Sequence, residues 1–329
     1  MKNTLAIERP PRGRSHDGPF VFLSRLEQSI RKQALFNTVG VFNPFSEYEL
    51  FASGRRSLFP YKRRIQRIDG IYIDSCNTAG DTSKMNERIF SSIRRSSGVV
   101  FISDFSRRVT ERFFGSIQKP WTVVHNSVPL DLFSPDGPNY RAHIGASRMD
   151  RVIVTSAHWR RHKRLPEIIK TVELLNAGAT NKYKLLVLGS PPRGYLTNQT
   201  VFFSGEISPC DLPAWYRTGD IYLHLCWIEA CGNTQIEAMA SGLPVVCGNN
   251  GGIRETVLRA NGGIVAECDD EYSFELVDLY HPPEPDYDIL IDCILELFKN
   301  ISRFRTSINR DFLSIDYAAE QYSRFIKNI

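Results

Sequence analysis

At 329 residues with 42% hydrophobic content, the chain is long enough for two cores of the usual ~150 residues each. Its longest apolar runs, such as "KLLVLG" and "LPVVCG", fall far short of the roughly 18 residues that cross a bilayer. The amino terminus shows no basic segment followed by an apolar one, so the expectation is a cytoplasmic protein. The net charge of +5 conceals an asymmetry: residues 1–120 hold 21 Lys and Arg against 11 Asp and Glu, and the remainder holds 20 against 25. A basic first half points to an anionic partner such as a membrane surface, an acidic acceptor or nucleic acid, or else to a solvated basic face. The seven cysteines are scattered and odd in number, with no Cys-x-x-Cys, which indicates neither a disulfide framework nor a zinc site.

In chain order, "TLAIE" (4–8) reads as a first strand, "PPRGRSHDGP" as a glycine-bearing loop, and "FVFLSRLEQSIRKQALF" as an amphipathic helix. "TVGVFNP", "GIYID", "GVVFIS" and "WTVVHN" follow as further strands, giving a first half with less sheet than the second. The stretch "SPDGPNYRAHIGASRMD" (134–150), dense in Pro, Gly and Asp, reads as a linker. The expected division is a first domain over 1–135 joined by 312–329, a linker over 136–148 and a second domain over 149–311.

The second half is the clearer. "RVIVTSA" (151–157), "KLLVLGS" (184–190), "TVFFSG" (200–205), "DIYLHLC" (220–226), "LPVVCG" (243–248) and "GGIVAE" (262–267) are short β-rich runs ending in small or turn residues. Helical patterns such as "LPEIIKTVELLNAG" and "TQIEAMASG" lie between most of them, so the fold class is α/β with parallel sheets. In such sheets ligands bind at the carboxyl ends of the strands. The terminal "DYAAEQYSRFIKNI" is helical and follows a finished domain, so it is expected to cross back onto the first one.

Two carboxylates stand out in "WIEACGNTQIEAMASGLPVV" (227–246), where Glu229 and Glu237 flank a turn between a strand and a helix. Gly232, Asn233 and Thr234 between them expose backbone N–H groups suited to phosphate. "TQIE" (234–237) is also a capping-box pattern in which Thr234 and Glu237 only satisfy orphan amides, and spacing alone leaves both readings open. A second glycine-rich loop, "GNNGGIRETV" (248–257), follows the next strand; two such loops on neighbouring strands build one cleft.

"WIEACGNTQIEAMASGLPVVCGNNGGIRETV" resembles the donor-site signature of retaining glycosyltransferase family 4, which carries Glu-x7-Glu on the GT-B fold. "VVFISDFSRRVTERFFG", "VVHNSVPLDLFSPDG" and "SAHWRRHKRLPEIIKTVELL" resemble further segments of that family in the same order. The similarity runs well over roughly residues 98–268 and loosely over the first 97, and the amino-terminal part is shorter than is usual there. The resemblance implies two Rossmann-like domains facing each other across a cleft, with the carboxy-terminal helix crossing back. It implies transfer of a sugar from a nucleotide diphosphate donor to an acceptor such as a glycan or lipid-linked glycan, with retention. Lys163, a neighbouring arginine and a helix terminus can stabilise the leaving diphosphate, and the sequence has no Asp-x-Asp placed like a metal clamp, so no metal or other cofactor is expected.

Carried over by position, Glu229 lies beside the donor sugar and Glu237 beside the ribose, with Gly232, Asn233 and Thr234 near the ribose and diphosphate. Lys163 matches the diphosphate-binding lysine. His158 stands where an arginine is expected five residues earlier, so Arg160, Arg161 or His158 itself is left to supply that contact. On the acceptor side, "RGRSHDGPF" (12–20) resembles the family's first glycine loop, implicating His16, Asp17 and Gly18, unless it is an ordinary loop.

"GRRSLFPYKRRIQR" (54–67), which interleaves cations with Leu, Phe and Tyr, suits peripheral docking on anionic lipid, or else is a solvated helix; nothing reads as a nucleic-acid module. A nucleotide-sugar epimerase or hydrolase on the same fold, and a non-catalytic donor-binding subunit, are the alternative readings.

Overall fold

The computed structural model describes all residues except 1–2, 11–17, 42, 53, 55–58, 60, 77–80 and 179–181. The chain divides into two compact units: Met1–Pro129 with Phe274–Val277 and Ser314–Ile329, and Leu130–Ser273 with Asp278–Leu313. The segment 136–148 belongs to the second unit, where Arg141 pairs with Asp220 at 3.1 Å.

In unit 1, β1 (Thr4–Ile7), α1 (Gly18–Lys32), β2 (Asn37–Gly40), β3 (Tyr48–Phe51), β4 (Arg63–Ile68), α2 (Thr82–Arg94), β5 (Gly98–Phe101), α3 (Asp104–Phe114) and β6 (Trp121–Val123) form a parallel α/β layer. The strand order is β2-β1-β3-β4-β5-β6. Asp81 caps α2 by accepting from the backbone N–H of Ser83 and Lys84, and Ser103 caps α3 through Ser106, which fixes where each helix leaves its loop.

Two expectations for this half are corrected. The sheet is not the smaller one, because both units carry six strands among the described residues. "GIYID" is also no strand. Gly70 turns the chain at φ +142, and buried Asn86 holds both the N–H and the C=O of Tyr72, so these backbone groups are spent on α2 and not on a ladder.

The strand at that place is β4, inside the basic stretch assigned to lipid docking. Lys62, Arg64 and Arg67 are buried there. Lys62 lies 3.4 Å from Glu49, Arg64 donates to Gln66 at 2.9 Å, and Arg67 is bound to Asp69. Buried cations paired inside a sheet layer cannot meet headgroups. Among the described residues of 54–67 only Gly54, Tyr61 and Arg63 remain exposed, and Arg55 and Arg56 lie outside the described residues.

Unit 2 contains β7 (Arg151–Ser156), α4 (Leu165–Ala177), β8 (Tyr183–Leu188), β9 (Val201–Phe203), α5 (Leu212–Tyr216), β10 (Ile221–His224), α6 (Thr234–Ala240), β11 (Val245–Gly248), α7 (Ile253–Arg259) and β12 (Gly263–Ala266). Three more helices follow, α8 (Tyr287–Lys299), α9 (Ile301–Ser307) and α10 (Arg310–Leu313). The parallel order β12-β11-β10-β7-β8-β9 reverses direction between β7 and β10, so the loops after those two strands diverge and leave a crevice at their carboxyl ends. Ile168 and Val172 of α4 pack with Leu290, Ile294 and Leu297 of α8 over Ile153, Leu185 and Leu223.

The last helix, α11 (Ile315–Lys327), completes the core of unit 1: its Ala318, Ala319, Tyr322 and Ile326 pack with Phe22, Leu26 and Ile30 of α1. The Ser29 hydroxyl donates to Asp316 at 2.6 Å. No helix among the described residues is long and apolar enough to cross a membrane.

Candidate active site

Three loops of unit 2 converge on Glu229. The loop after β10 is joined to the short 3-10 turn Arg161–Lys163 after β7 by Trp227 N–H donating to the His162 carbonyl at 2.8 Å. It is joined to the loop after β11 by Gly252 N–H donating to the Glu229 carbonyl at 2.8 Å. The neighbouring Gly251 sits at φ +92, and a Cβ there would lie 2.5 Å from Glu229 O and 2.8 Å from Glu229 N. This close approach is the physical reason for glycine in "GNNGG". Ile228, a β-branched residue at φ +58, holds strained backbone directly before Glu229.

Gly251→Ala is therefore expected to lower stability by about 1–3 kcal/mol, from the left-handed backbone and the contact with Glu229 together. The matching control is Gly145→Ala, at φ +63 with open space around it, which should lose less. Equal urea midpoints for the two variants would show that the approach to Glu229 is not tight.

At the crevice, Lys163 Nζ stands 2.9 Å from Glu229 Oε2, and His224 Nε2 lies 3.2 Å from the same oxygen. Burial opposes ionisation of Glu229, but Lys163 and His224 outweigh it and hold the carboxyl well below its usual range. Burial likewise opposes charge on Lys163, but its acidic neighbours, of which the Glu229 carboxylate is the one ionised at neutral pH, raise the ammonium above its ordinary range. Burial, reinforced by Glu229, pushes the Cys226 thiol up, which keeps it protonated.

The sign for Glu229 follows. Its contribution to stability is fully present above the unfolded carboxylate value of about 4.3 and is lost as pH falls through its lower folded value. Between pH about 4 and the acid limit of folding, Glu229→Gln should flatten the fall of Tm with pH relative to wild type. Parallel curves would place the Glu229 carboxylate outside this ion pair.

Beneath the pair runs an aromatic series. The Tyr222 and His224 rings stack at 6.1 Å, and Tyr216 meets Tyr222 edge-on at 6.0 Å. The Tyr216 hydroxyl donates to Glu237 Oε2 at 3.1 Å, and Tyr222 exchanges hydrogen bonds with the Ser156 backbone at 3.1 Å. Glu237 is only 5% exposed, a fixed acceptor in the wall and not an open surface group. Asn233 is the N-cap of α6 and makes no side-chain cap bond; Thr234 is the first helical residue.

The other expected residues separate. Gly232 is buried and Asn233 and Thr234 are half-buried, in the turn that leads from Glu229 into α6, the helix that carries Glu237. His158 and Arg160 are exposed in the loop after β7. Arg161 is a correction as a free phosphate ligand: its guanidinium is already bound to buried Glu167, at 2.5 and 3.0 Å. In unit 1, Gly18 opens α1 and is exposed, while His16 and Asp17 lie outside the described residues.

Sequence reasoning passed over Tyr216, Tyr222, His224 and Cys226. The signal for three of them was present, since residues 222, 224 and 226 alternate along "DIYLHLC" and an extended strand puts every second side chain on one face. Ligand atoms of His224, Cys226 and Glu229 lie within 4.8 Å of one another, a set chemically able to hold a metal ion. The protein's own cation, Lys163, already stands against its carboxylate.

Residues 136–279 match the family model described as glycosyl transferases group 1. Over 204 residues the chain is 26% identical to a GDP-mannose-dependent monoacylated alpha-(1-6)-phosphatidylinositol monomannoside mannosyltransferase of Corynebacterium glutamicum, covering 56% of this chain and 53% of that one. Matches to curated relatives span between 15% and 54% of those proteins' own length. Among solved structures, sucrose-phosphate synthase from Thermosynechococcus elongatus superposes with a TM-score of 0.74 at 13% identity over 99% of both chains. Anabaena HepE, solved in complex with UDP and glucose, superposes with a TM-score of 0.70 at 14% identity over 100% of both. The chain has the two-domain, Rossmann-like GT-B fold, and its residues 136–279 match the group 1 glycosyl transferases.

Proposed function

We propose that the chain is a retaining glycosyltransferase of family 4 type, its Glu-x7-Glu being Glu229 and Glu237. It moves a sugar from a nucleotide diphosphate donor held by unit 2 to an acceptor such as a glycan or lipid-linked glycan. The observation that carries this reading is the Lys163–Glu229 pair, 2.9 Å apart at the point where the strand order of unit 2 reverses.

The chemistry follows from where charge develops. The bond between the anomeric carbon and the diphosphate oxygen breaks, a bond from that carbon to the acceptor oxygen forms on the same face, and the acceptor proton passes to the leaving phosphate. Negative charge grows on the departing diphosphate. A charge-assisted hydrogen bond from Lys163, worth about 1.5–3 kcal/mol, stabilises it there, with the amides of Gly232, Asn233 and Thr234 assisting. Arg160 and His158, exposed beside Lys163, are the remaining candidates for a second phosphate contact, because Arg161 is held by Glu167. Glu229 accepts from the donor sugar's hydroxyls and Glu237 from the ribose. Positive charge at the leaving group comes from side chains, so the reaction is read as metal-independent.

The donor class draws support from relatives: the Corynebacterium protein is named as GDP-mannose-dependent, and HepE was solved with UDP. A thermal-shift screen of uridine, guanosine and adenosine diphosphate sugars tests the reading. A donor at 100 times its dissociation constant should add about 2.7 kcal/mol to apparent stability. No response to any of them overturns the proposal, and a donor consumed to free sugar regardless of acceptor marks a hydrolase.

A further inference from the structure

Strand β10 runs out into a group of side chains that glycosyl transfer uses only in part. An extended chain puts His224 and Cys226 on one face, and the left-handed turn at Ile228, φ +58, brings the Glu229 carboxylate back against them. A ring nitrogen of His224, the Cys226 sulfur and a Glu229 oxygen thus lie within 4.8 Å of one another. Among the described residues no other His, Cys, Asp and Glu side chains bring three such atoms this close.

The chemistry of the three donors selects an ion. One nitrogen, one sulfur and one oxygen make a mixture that zinc accepts, whereas magnesium and calcium take oxygen. His224 and Cys226 are each 6% exposed and Glu229 is 24% exposed, so the wall supplies three ligands and leaves the crevice side for a fourth.

A cation is already drawn to this place. Lys163 Nζ stands 2.9 Å from Glu229 Oε2, the same oxygen that His224 Nε2 meets at 3.2 Å. The ammonium is carried there on a flexible four-carbon stem, 17% exposed, which can swing aside without moving the backbone.

We propose that His224, Cys226 and Glu229 form an inhibitory site for a borderline-soft divalent cation, zinc above all, which displaces Lys163 from Glu229. Zinc binds the lone pair of a neutral His224 ring at Nε2, one oxygen of Glu229, and Cys226 Sγ as the thiolate. The thiol proton leaves to solvent and Lys163 keeps its own, so nothing is oxidised or reduced. The ion occupies the carboxylate that meets the donor sugar and moves the ammonium away from the diphosphate, and transfer stops. The inference rests on the glycosyl-transfer reading, to which it adds regulation of the same site.

Titration of the full chain with cobalt chloride, followed by absorbance, and with zinc chloride, followed by calorimetry, tests it. Both use a Cys76→Ser, Cys210→Ser background, which removes the two exposed thiols. Cobalt should give the sulfur-to-metal charge-transfer band of a thiolate ligand, zinc should bleach that band, and magnesium should leave it unchanged. Cys226→Ser should abolish the band and weaken zinc binding by about tenfold or more, and His224→Gln should weaken zinc binding to a similar degree while keeping a thiolate band. Zinc should also inhibit turnover, a chelator should restore it, and added donor should relieve it. The zinc concentration that halves turnover, measured against each variant's own basal rate, should rise in Cys226→Ser by the same factor as the Kd. Absence of the cobalt band, or zinc binding and inhibition unchanged in both variants, overturns the proposal. Nucleotide-sugar binding without zinc is measured separately: its presence alongside failed metal binding sinks this inference alone, and its absence sinks the glycosyl-transfer reading.

Discussion

Replacing Lys163 with alanine is expected to lower turnover, read as nucleotide released from the donor sugar, by about 10²–10³-fold. The loss comes from the cation that stands 2.9 Å from Glu229, since Arg161 is committed to Glu167. The same change leaves a partly buried carboxylate short of its nearest counter-charge, which costs about 1–3 kcal/mol of stability. The two effects separate in a double variant. Lys163→Ala with Glu229→Gln has no carboxylate left without its partner, so it should regain most of the lost stability while turnover stays at or below that of Lys163→Ala. A folded Lys163→Ala protein that turns over donor within about threefold of wild type would remove the lysine from the mechanism.

The largest effect on stability is expected at the next residue. Arg164 is fully buried at φ +55, its guanidinium donating to both oxygens of Asp269 at 2.9 and 2.8 Å and to the Pro283 carbonyl at 2.8 Å. Arg164→Ala strips a buried carboxylate of its partner and should cost about 3–5 kcal/mol. Asp269 also anchors the loop after β11, through Asn249 Nδ2 donating to its carbonyl at 2.8 Å and its own N–H donating to Asn249 Oδ1 at 3.1 Å. The loop that carries Gly251 and Gly252 against Glu229 should therefore loosen with it. Urea unfolding of Arg164→Ala, and of Arg164→Met with Asp269→Leu, measures this. Removing both charges should cost less than removing one, and a single variant less than about 1 kcal/mol below wild type would mean the pair is not buried as described.

Much of unit 2 was legible from local pattern. Each of "RVIVTSA", "DIYLHLC" and "LPVVCG" is a short apolar run closed by small or turn residues, and the observed β7, β10 and β11 fall inside them. Strands that are covered on both faces must be apolar almost throughout, so the run itself is the signal. Unit 1 was less legible because β4, "RRIQRI", is a buried strand written largely in cations and read as surface. Lys62 is answered by Glu49 of the neighbouring strand and Arg67 is fixed by distant Asn126 as well as by Asp69 two residues on, while Arg64 donates to nearby Gln66; the burial that makes these partners necessary is invisible in any local window.

By itself the sequence determined the parallel α/β layers and the glycine loop between β11 and α7, because period and turn chemistry are properties of adjacent residues; the roles of Lys163, Glu229 and Glu237 came from resemblance and stand as a proposal. Only the tertiary structure decided which charges are free. Lys163 faces the crevice while Arg161 is held by Glu167, Glu237 lies in the wall behind Tyr216, and Asp69 stands oriented over Arg67 in the other unit. Whether an ionisable side chain binds a ligand or a neighbour depends on groups brought close by the fold from distant parts of the chain, and the free energy of each pairing is set by burial, which exists only once the layers are packed.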